Sequence, residues 1–106
     1  MARIVINTAE TEWITRPDGV RQTAIYQEGP WVFSQVCIPP QTMLAEHLHP
    51  ENEHVYVMDG VLWEGDKSFG PGTFLLNEKG SSHSTSTRDE GCTLLVVWCG
   101  RIEYCK

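Results

Sequence analysis

The sequence predicts an all-β chain, a sandwich or a closed barrel, on three observations. Apolar residues nowhere recur at helical spacing across a window of about eleven residues. Short runs rich in Val, Ile, Thr and aromatic residues are separated by turn residues at intervals of roughly eight to twelve positions. The hydrophobic content of 41% lies in the globular range, so a packed core is expected. With 106 residues, the chain has enough material for one core and too little for two, and residues 1–106 are read as a single domain.

Taken in order, Ile4-Val5-Ile6 reads as a short first strand. Residues 13–16 and 20–26 read as two strands about Pro17-Asp18-Gly19, where Pro presets φ and Gly accepts positive φ. Gly29-Pro30 breaks the chain before the strand Trp31 to Ile38, and Pro39-Pro40 ends it. Residues 42–49 lead into a strand that alternates Glu53, Val55, Val57 against His54, Tyr56, Met58. Asp59-Gly60 then signals a hairpin with Val61-Leu62-Trp63 as its return strand. Gly65-Asp66 and Gly70-Pro71-Gly72 are further turns, the second preceding a strand from Thr73 to Leu76. Residues 83–87 form a polar strand whose inward positions are His83, Thr85 and Thr87. Cys92 to Cys99 is a continuous apolar strand expected to be buried on both faces, and residues 101–105 finish the chain. Trp31, Phe33, Trp63, Phe74 and Trp98 are expected in the core.

The net charge of −6 and the lack of a basic run argue against nucleic acid, whose phosphates need Lys and Arg, and against anionic membranes. The apolar run at the N-terminus is too short for a signal peptide, and no stretch approaches a membrane span. A cytoplasmic location is therefore expected. Cys37, Cys92, Cys99 and Cys105 form no Cys-x-x-Cys pair, and free thiols are the expected state.

The chemistry concentrates in His47-Leu48-His49-Pro50-Glu51-Asn52-Glu53-His54, which holds three of the four histidines. On extended chain His47 and His49 share a face, Glu53 follows at the same parity, and His54 points the other way. Two imidazoles and a carboxylate at one point form a divalent metal site with nitrogen and oxygen ligands. A His-x-His pair alone is weak evidence, since histidine has many other uses. The fourth histidine, His83, follows a Gly-bounded turn after the strand that starts at Gly72-Thr73. Glu46 and Glu78 read as solvated carboxylates.

These residues carry a family resemblance. His47, His49, Glu53 and Gly60 match the first cupin motif: His-x-His, three residues, Glu, six residues, Gly. Gly72, Gly80 and His83 match the second, with Glu78 where that motif has Pro and Thr87 where it has Asn. Within the cupins the chain most resembles the ChrR-like group, through phrases such as His-x-His-Pro-x-x-Glu, Gly-Pro-Gly-Thr-Phe-Leu-Leu-Asn and Gly-Ser-Ser-His. The resemblance runs from about Pro17 to Trp98.

The resemblance implies a cupin double-stranded β-helix, a jelly-roll barrel, with His47, His49, Glu53 and His83 as metal ligands. Three neutral imidazoles and one carboxylate suit one divalent transition metal, Fe, Zn, Mn, Ni or Cu, and suit Ca²⁺ or Mg²⁺ poorly. Two function classes follow. One is a non-heme-metal enzyme, dioxygenase-like, acting on a small organic molecule. The other is a metal-binding sensor or regulatory module resembling the cupin half of the ChrR anti-sigma factor. The sequence has neither the Cys-x-x-Cys nor the helical segment expected of that factor's other half, which favours the enzyme. A homodimer is also expected, because Val55/Val57 and Tyr56/Met58 lie on opposite faces of one strand and only one face can look into the barrel.

Overall fold

The computed structural model describes residues 2–45, 47–49 and 51–99, and for His47 and Leu48 the backbone only. All described regular structure is β: β1 (Ile14–Thr15), β2 (Arg21–Glu28), β3 (Trp31–Ile38), β4 (His47–Leu48), β5 (Glu53–Gly60), β6 (Leu62–Glu64), β7 (Lys67–Phe69), β8 (Phe74–Asn77), β9 (Ser82–His83) and β10 (Cys92–Cys99). Six of these make one antiparallel sheet in the order β1-β2-β3-β10-β5-β8.

A second layer closes over that sheet. β4 pairs β9, and β6 pairs β7. The stretch after β9 stitches the two pairs together: Ser86 and Trp63 exchange backbone hydrogen bonds of 2.9 and 2.8 Å, and Leu44 N–H donates to the Thr85 carbonyl at 2.9 Å. Between the layers sit Val20, Ile38, Val55, Val57, Leu62, Cys92, Leu94 and Val96, all buried, with Val36, Leu44, Phe69 and Leu75 packed against them. Each such aliphatic side chain contributes about 1.5–3 kcal/mol when fully buried.

β3 and β10 form where the sequence predicts them, because β-branched residues fill a pleated, half-buried surface. Four expectations are corrected. Ile4-Val5-Ile6 is not a strand: these residues pair with no described strand, and Ile4 and Val5 are 65% and 79% exposed. Asp59-Gly60 is not a hairpin turn: β5 runs on through Gly60, which faces Cys92 of β10. There the chain leaves one layer for the other, Gly60 has φ 77°, and a Cβ on it would meet the Gly91 carbonyl oxygen at 1.9 Å. β10 is not fully buried on both faces: Cys92, Leu94 and Val96 are buried, whereas Thr93, Leu95 and Val97 are half-buried. The core is aliphatic, not aromatic: Phe74 is 59% and Trp98 41% exposed.

Two neighbouring rungs on the outer face of the large sheet are largely apolar. One rung across β2, β3, β10, β5 and β8 reads Tyr26, Phe33, Val97, His54, Leu76, and the next reads Gln35, Leu95, Tyr56, Phe74 from β3 to β8. Neither rung carries a formal charge at neutral pH, with His54 counted neutral, whereas an antiparallel sheet covering one core usually turns a polar face to water.

Among the thiols, Cys37 and Cys92 are free. Cys99, the last residue of β10, is instead disulfide-bonded. Cys105 and residues 101–105 lie outside the described residues, as does Glu46; Glu78 is exposed as expected.

Candidate metal centre

His49 and His83 are brought together by the small β4–β9 ladder. His47 is the register partner of His83, and Leu48 that of Ser82. One residue on, His49 N–H donates to the Ser81 carbonyl and Gly80 N–H to the His49 carbonyl, both at 2.9 Å. The turn that feeds β9 forms without the motif's Pro: Ser81 N–H and Oγ both donate to the Glu78 carbonyl, at 3.0 and 2.6 Å, and Gly80 takes φ 87°. Thr87, where the motif has Asn, donates from Oγ1 to the Pro39 carbonyl at 2.6 Å and accepts from Thr42 N–H at 3.1 Å. It ties the strand after His83 to the end of β3.

The result is a facing pair of rings. His49 is buried at 4% exposure, and its Nε2 stands 3.0 Å from His83 Nε2. The rings meet edge to face with centroids 4.6 Å apart. Behind each ring stands a carboxylate: Glu53 Oε1 is 3.8 Å from His49 Nδ1, and Glu64 Oε2 is 3.6 Å from His83 Nδ1. Two lone pairs 3.0 Å apart repel unless a proton or a cation lies between them. Two nitrogens each bonded to one ion at about 2.0–2.1 Å, near a right angle, are separated by about 3 Å, so the donor chemistry fits a transition metal.

The four sequence-predicted ligands are not all shown converging. The side chain of His47 lies outside the description. Glu53 is turned towards Asn77, its register partner in β8, whose Nδ2 donates to Glu53 Oε1 at 3.0 Å. Among the described residues no three His, Cys, Asp or Glu side chains converge on one point. His54 points away as its parity requires: its ring lies on the outer face between Trp31 and Phe74, with centroids 6.1 and 6.2 Å away. Sequence reasoning missed Glu64, which comes from β6 and matches no motif position, and it gave no role to Asn77 of β8, the last residue of the Gly-Pro-Gly-Thr-Phe-Leu-Leu-Asn phrase. It also missed Glu51, a buried carboxylate whose Oε2 has no hydrogen-bond partner among the described residues and lies 3.7 Å from Lys79 Nζ.

The site opens into the space between the layers, a cavity of about 360 Å³. His83, Glu53, Glu64 and Asn77 line it at one end, and Val36, Val55, Leu75 and Leu94 are among its apolar walls.

The ChrR cupin-like domain model matches residues 1–99. The chain belongs to the ChrR cupin-like family. No curated protein matches the sequence. Among solved structures it is similar to the anti-sigma factor ChrR in its complex with SigE from Rhodobacter sphaeroides, at 23% identity and a TM-score of 0.76. That match covers 86% of this chain and 51% of the ChrR chain, so this cupin spans about half that protein's length. The polyketide cyclase RemF from Streptomyces resistomycificus matches at 19% identity and TM-score 0.80, over 95% of this chain and 81% of that one. An acetylacetone dioxygenase from Acinetobacter johnsonii matches at 11% identity and TM-score 0.77, over 93% and 75%. At these identities the likeness establishes the shared all-β cupin fold. No helix among the described residues is long and apolar enough to cross a membrane.

Proposed function

We propose that this protein is a small metal-binding cupin whose His47, His49, Glu53 and His83 hold one divalent transition metal, and that it acts on a small organic molecule as a dioxygenase-like enzyme of the cytoplasm. The observation that carries this reading is the facing pair His49 Nε2 and His83 Nε2, 3.0 Å apart, each ring backed by a carboxylate. The bound ion would supply Lewis acidity and, as iron, dioxygen chemistry. The chain's own residues do the rest. Glu64 stands behind the His83 ring, its Oε2 3.6 Å from Nδ1. Asn77 fixes the Glu53 carboxylate. The apolar walls exclude water from a space sized for a small molecule. A regulatory module is the second reading, supported by the match to the ChrR chain. For both readings we infer a homodimer through the two uncharged rungs on the outer face of the large sheet.

Elemental analysis of protein purified without added metal or chelator, followed by oxygen uptake with small diketones and phenols, separates the readings. Iron with oxygen consumption is the expected result. Zinc with no uptake favours the regulatory module, and absence of any metal rejects both.

A further inference from the structure

We propose that Lys79 is a positioning residue for the metal: its ammonium group, set against the buried Glu51 carboxylate, clamps together the two segments that carry the ligands. The inference rests on the metal reading above and adds to it the residue at the unspecified motif position between Glu78 and Gly80. Lys79 lies in the turn 78–81 that feeds His83, and Glu51 lies midway between His49 and Glu53.

Two observations carry it. The first is an orphan oxygen. The Glu51 side chain is 6% exposed, and its Oε2 is buried without a hydrogen-bond partner among the described residues. The cation set beside that oxygen is Lys79 Nζ, 3.7 Å away, on a side chain that reaches solvent. The second is the seam these two residues lie on. Gly80 N–H donates to the His49 carbonyl and His49 N–H to the Ser81 carbonyl, both at 2.9 Å, and the Lys79 backbone N–H donates to Asn52 Oδ1 at 2.7 Å. A buried carboxylate that loses its counter-charge must be rehydrated. Water reaches Glu51 by parting loop 51–53 from turn 78–81, which moves His49 and Glu53 away from His83. A bare charge effect has the opposite sign. Lys79 and the metal are both positive, so by Coulomb's law alone removing Lys79 favours the ion.

The test measures zinc affinity by competition with a chromogenic chelator, and the stability of the metal-free forms by urea denaturation. Lys79→Met is expected to weaken zinc binding about tenfold, the usual effect of losing a partner behind a ligand. Lys79→Arg keeps the charge and should bind zinc as wild type does. With Glu51→Gln in place no buried charge is left to hydrate, so adding Lys79→Met should leave zinc binding unchanged or tighter. Unchanged or tighter binding in Lys79→Met alone overturns the proposal. So does a further loss of about tenfold when Lys79→Met is added to Glu51→Gln, and that comparison decides should Lys79→Met alone not fold. A fall in metal-free stability with zinc affinity unchanged makes the pair a structural one and overturns the proposal too. A wild type that takes up no zinc overturns the metal reading, and this proposal with it.

Discussion

Asn77 holds Glu53: its amide nitrogen lies 3.0 Å from Glu53 Oε1, and the two residues face each other across the β5–β8 ladder. This bond presents the one anionic member of the proposed ligand set from a fixed direction. Replacing Glu53 with Gln keeps the size and removes the charge, and should lower metal affinity more than any change outside the ligand set. Asn77→Ala should weaken it about tenfold, the usual cost of losing a partner behind a ligand. His54→Ala should leave metal content intact, because its ring lies on the outer face between Trp31 and Phe74. Metal stoichiometry after identical purification decides. Loss in His54→Ala with retention in Glu53→Gln would redraw the ligands as His47, His49, His54 and His83.

Removing the metal should not unfold the protein. The aliphatic core lies between two layers and does not include the facing histidines, unlike a zinc finger, whose ion is its core. Chelated protein should keep its near-ultraviolet tryptophan signal, and added metal should raise Tm by linkage. Loss of that signal on chelation would mark the site as structural and weaken the enzyme reading.

Gly60 and Gly65 should respond very differently to alanine. Both have positive φ, 77° and 61°. A Cβ on Gly60 would meet Gly91 O at 1.9 Å and Cys92 Cα at 2.7 Å, backbone atoms that cannot swing aside, whereas nothing lies within 4 Å of one on Gly65. Gly65→Ala should cost about 1 kcal/mol, the left-handed backbone penalty. Gly60→Ala should cost more than about 3 kcal/mol or prevent folding. Urea denaturation measures both, and equal costs would show that the layer crossing at Gly60 is misplaced.

Stability should fall in alkali through Cys92. Burial, and next the neighbouring Cys37, push its thiol from 9.0 up to about 11. The neutral thiol is favoured in the fold, so this contribution is complete below about pH 9 and is lost as pH rises through about 11. The loss approaches about 3 kcal/mol at the top of that window. Unfolding free energies between pH 8 and 11 should decline more steeply in wild type than in Cys92→Ala. Parallel curves would show that Cys92 does not carry the effect.

The uncharged outer rungs should be covered by a second copy. Tyr56, Met58, Phe74 and Leu76 are each 43–59% exposed. At about 150–250 Å² for a large side chain, these four alone offer about 400 Å², half of what one partner contributes to a standard interface. Light scattering should report twice 12.0 kDa, and Phe74→Glu should lower it to the monomer. A wild-type monomer at micromolar concentration rejects the dimer.

What could be read from the sequence depended on whether the deciding partner was local. Trp31–Ile38 and Cys92–Cys99 were legible because their own residues prefer a pleated surface. The turn of His54 to the outer face was legible because parity is a property of one strand. Ile4-Val5-Ile6 misleads because propensity cannot supply a missing ladder partner. Asp59-Gly60 misleads because the same dipeptide serves a tight turn and a crossing between layers, and only Gly91, thirty-one positions away, distinguishes them. Phe74 and Trp98 misled because aromatic size suggests burial, while Phe74 lies on the outer face of the sheet and Trp98 sits exposed at the end of β10 where it borders the cavity. Glu64 lies on a strand with no shared motif, and the phrase that ends on Asn77 does not say which residue it faces, so only the folded register reveals them.

The position of β10 has a consequence for how the chain acquires its shape. It is the latest strand in the described sequence, yet it lies at the centre of the large sheet and is the only strand joining β1-β2-β3 to β5-β8. Its contacts span long loops: Ser34 Oγ reaches the Val96 carbonyl across 62 positions. Until Cys92–Cys99 docks, the two halves share no hydrogen-bonded edge, and each leaves an unpaired strand open to other chains. Such a topology folds slowly, on the millisecond-to-second scale. Aggregation should compete most strongly before that last docking, and nicking the loop just ahead of Cys92 should split the sheet at its middle instead of trimming its rim.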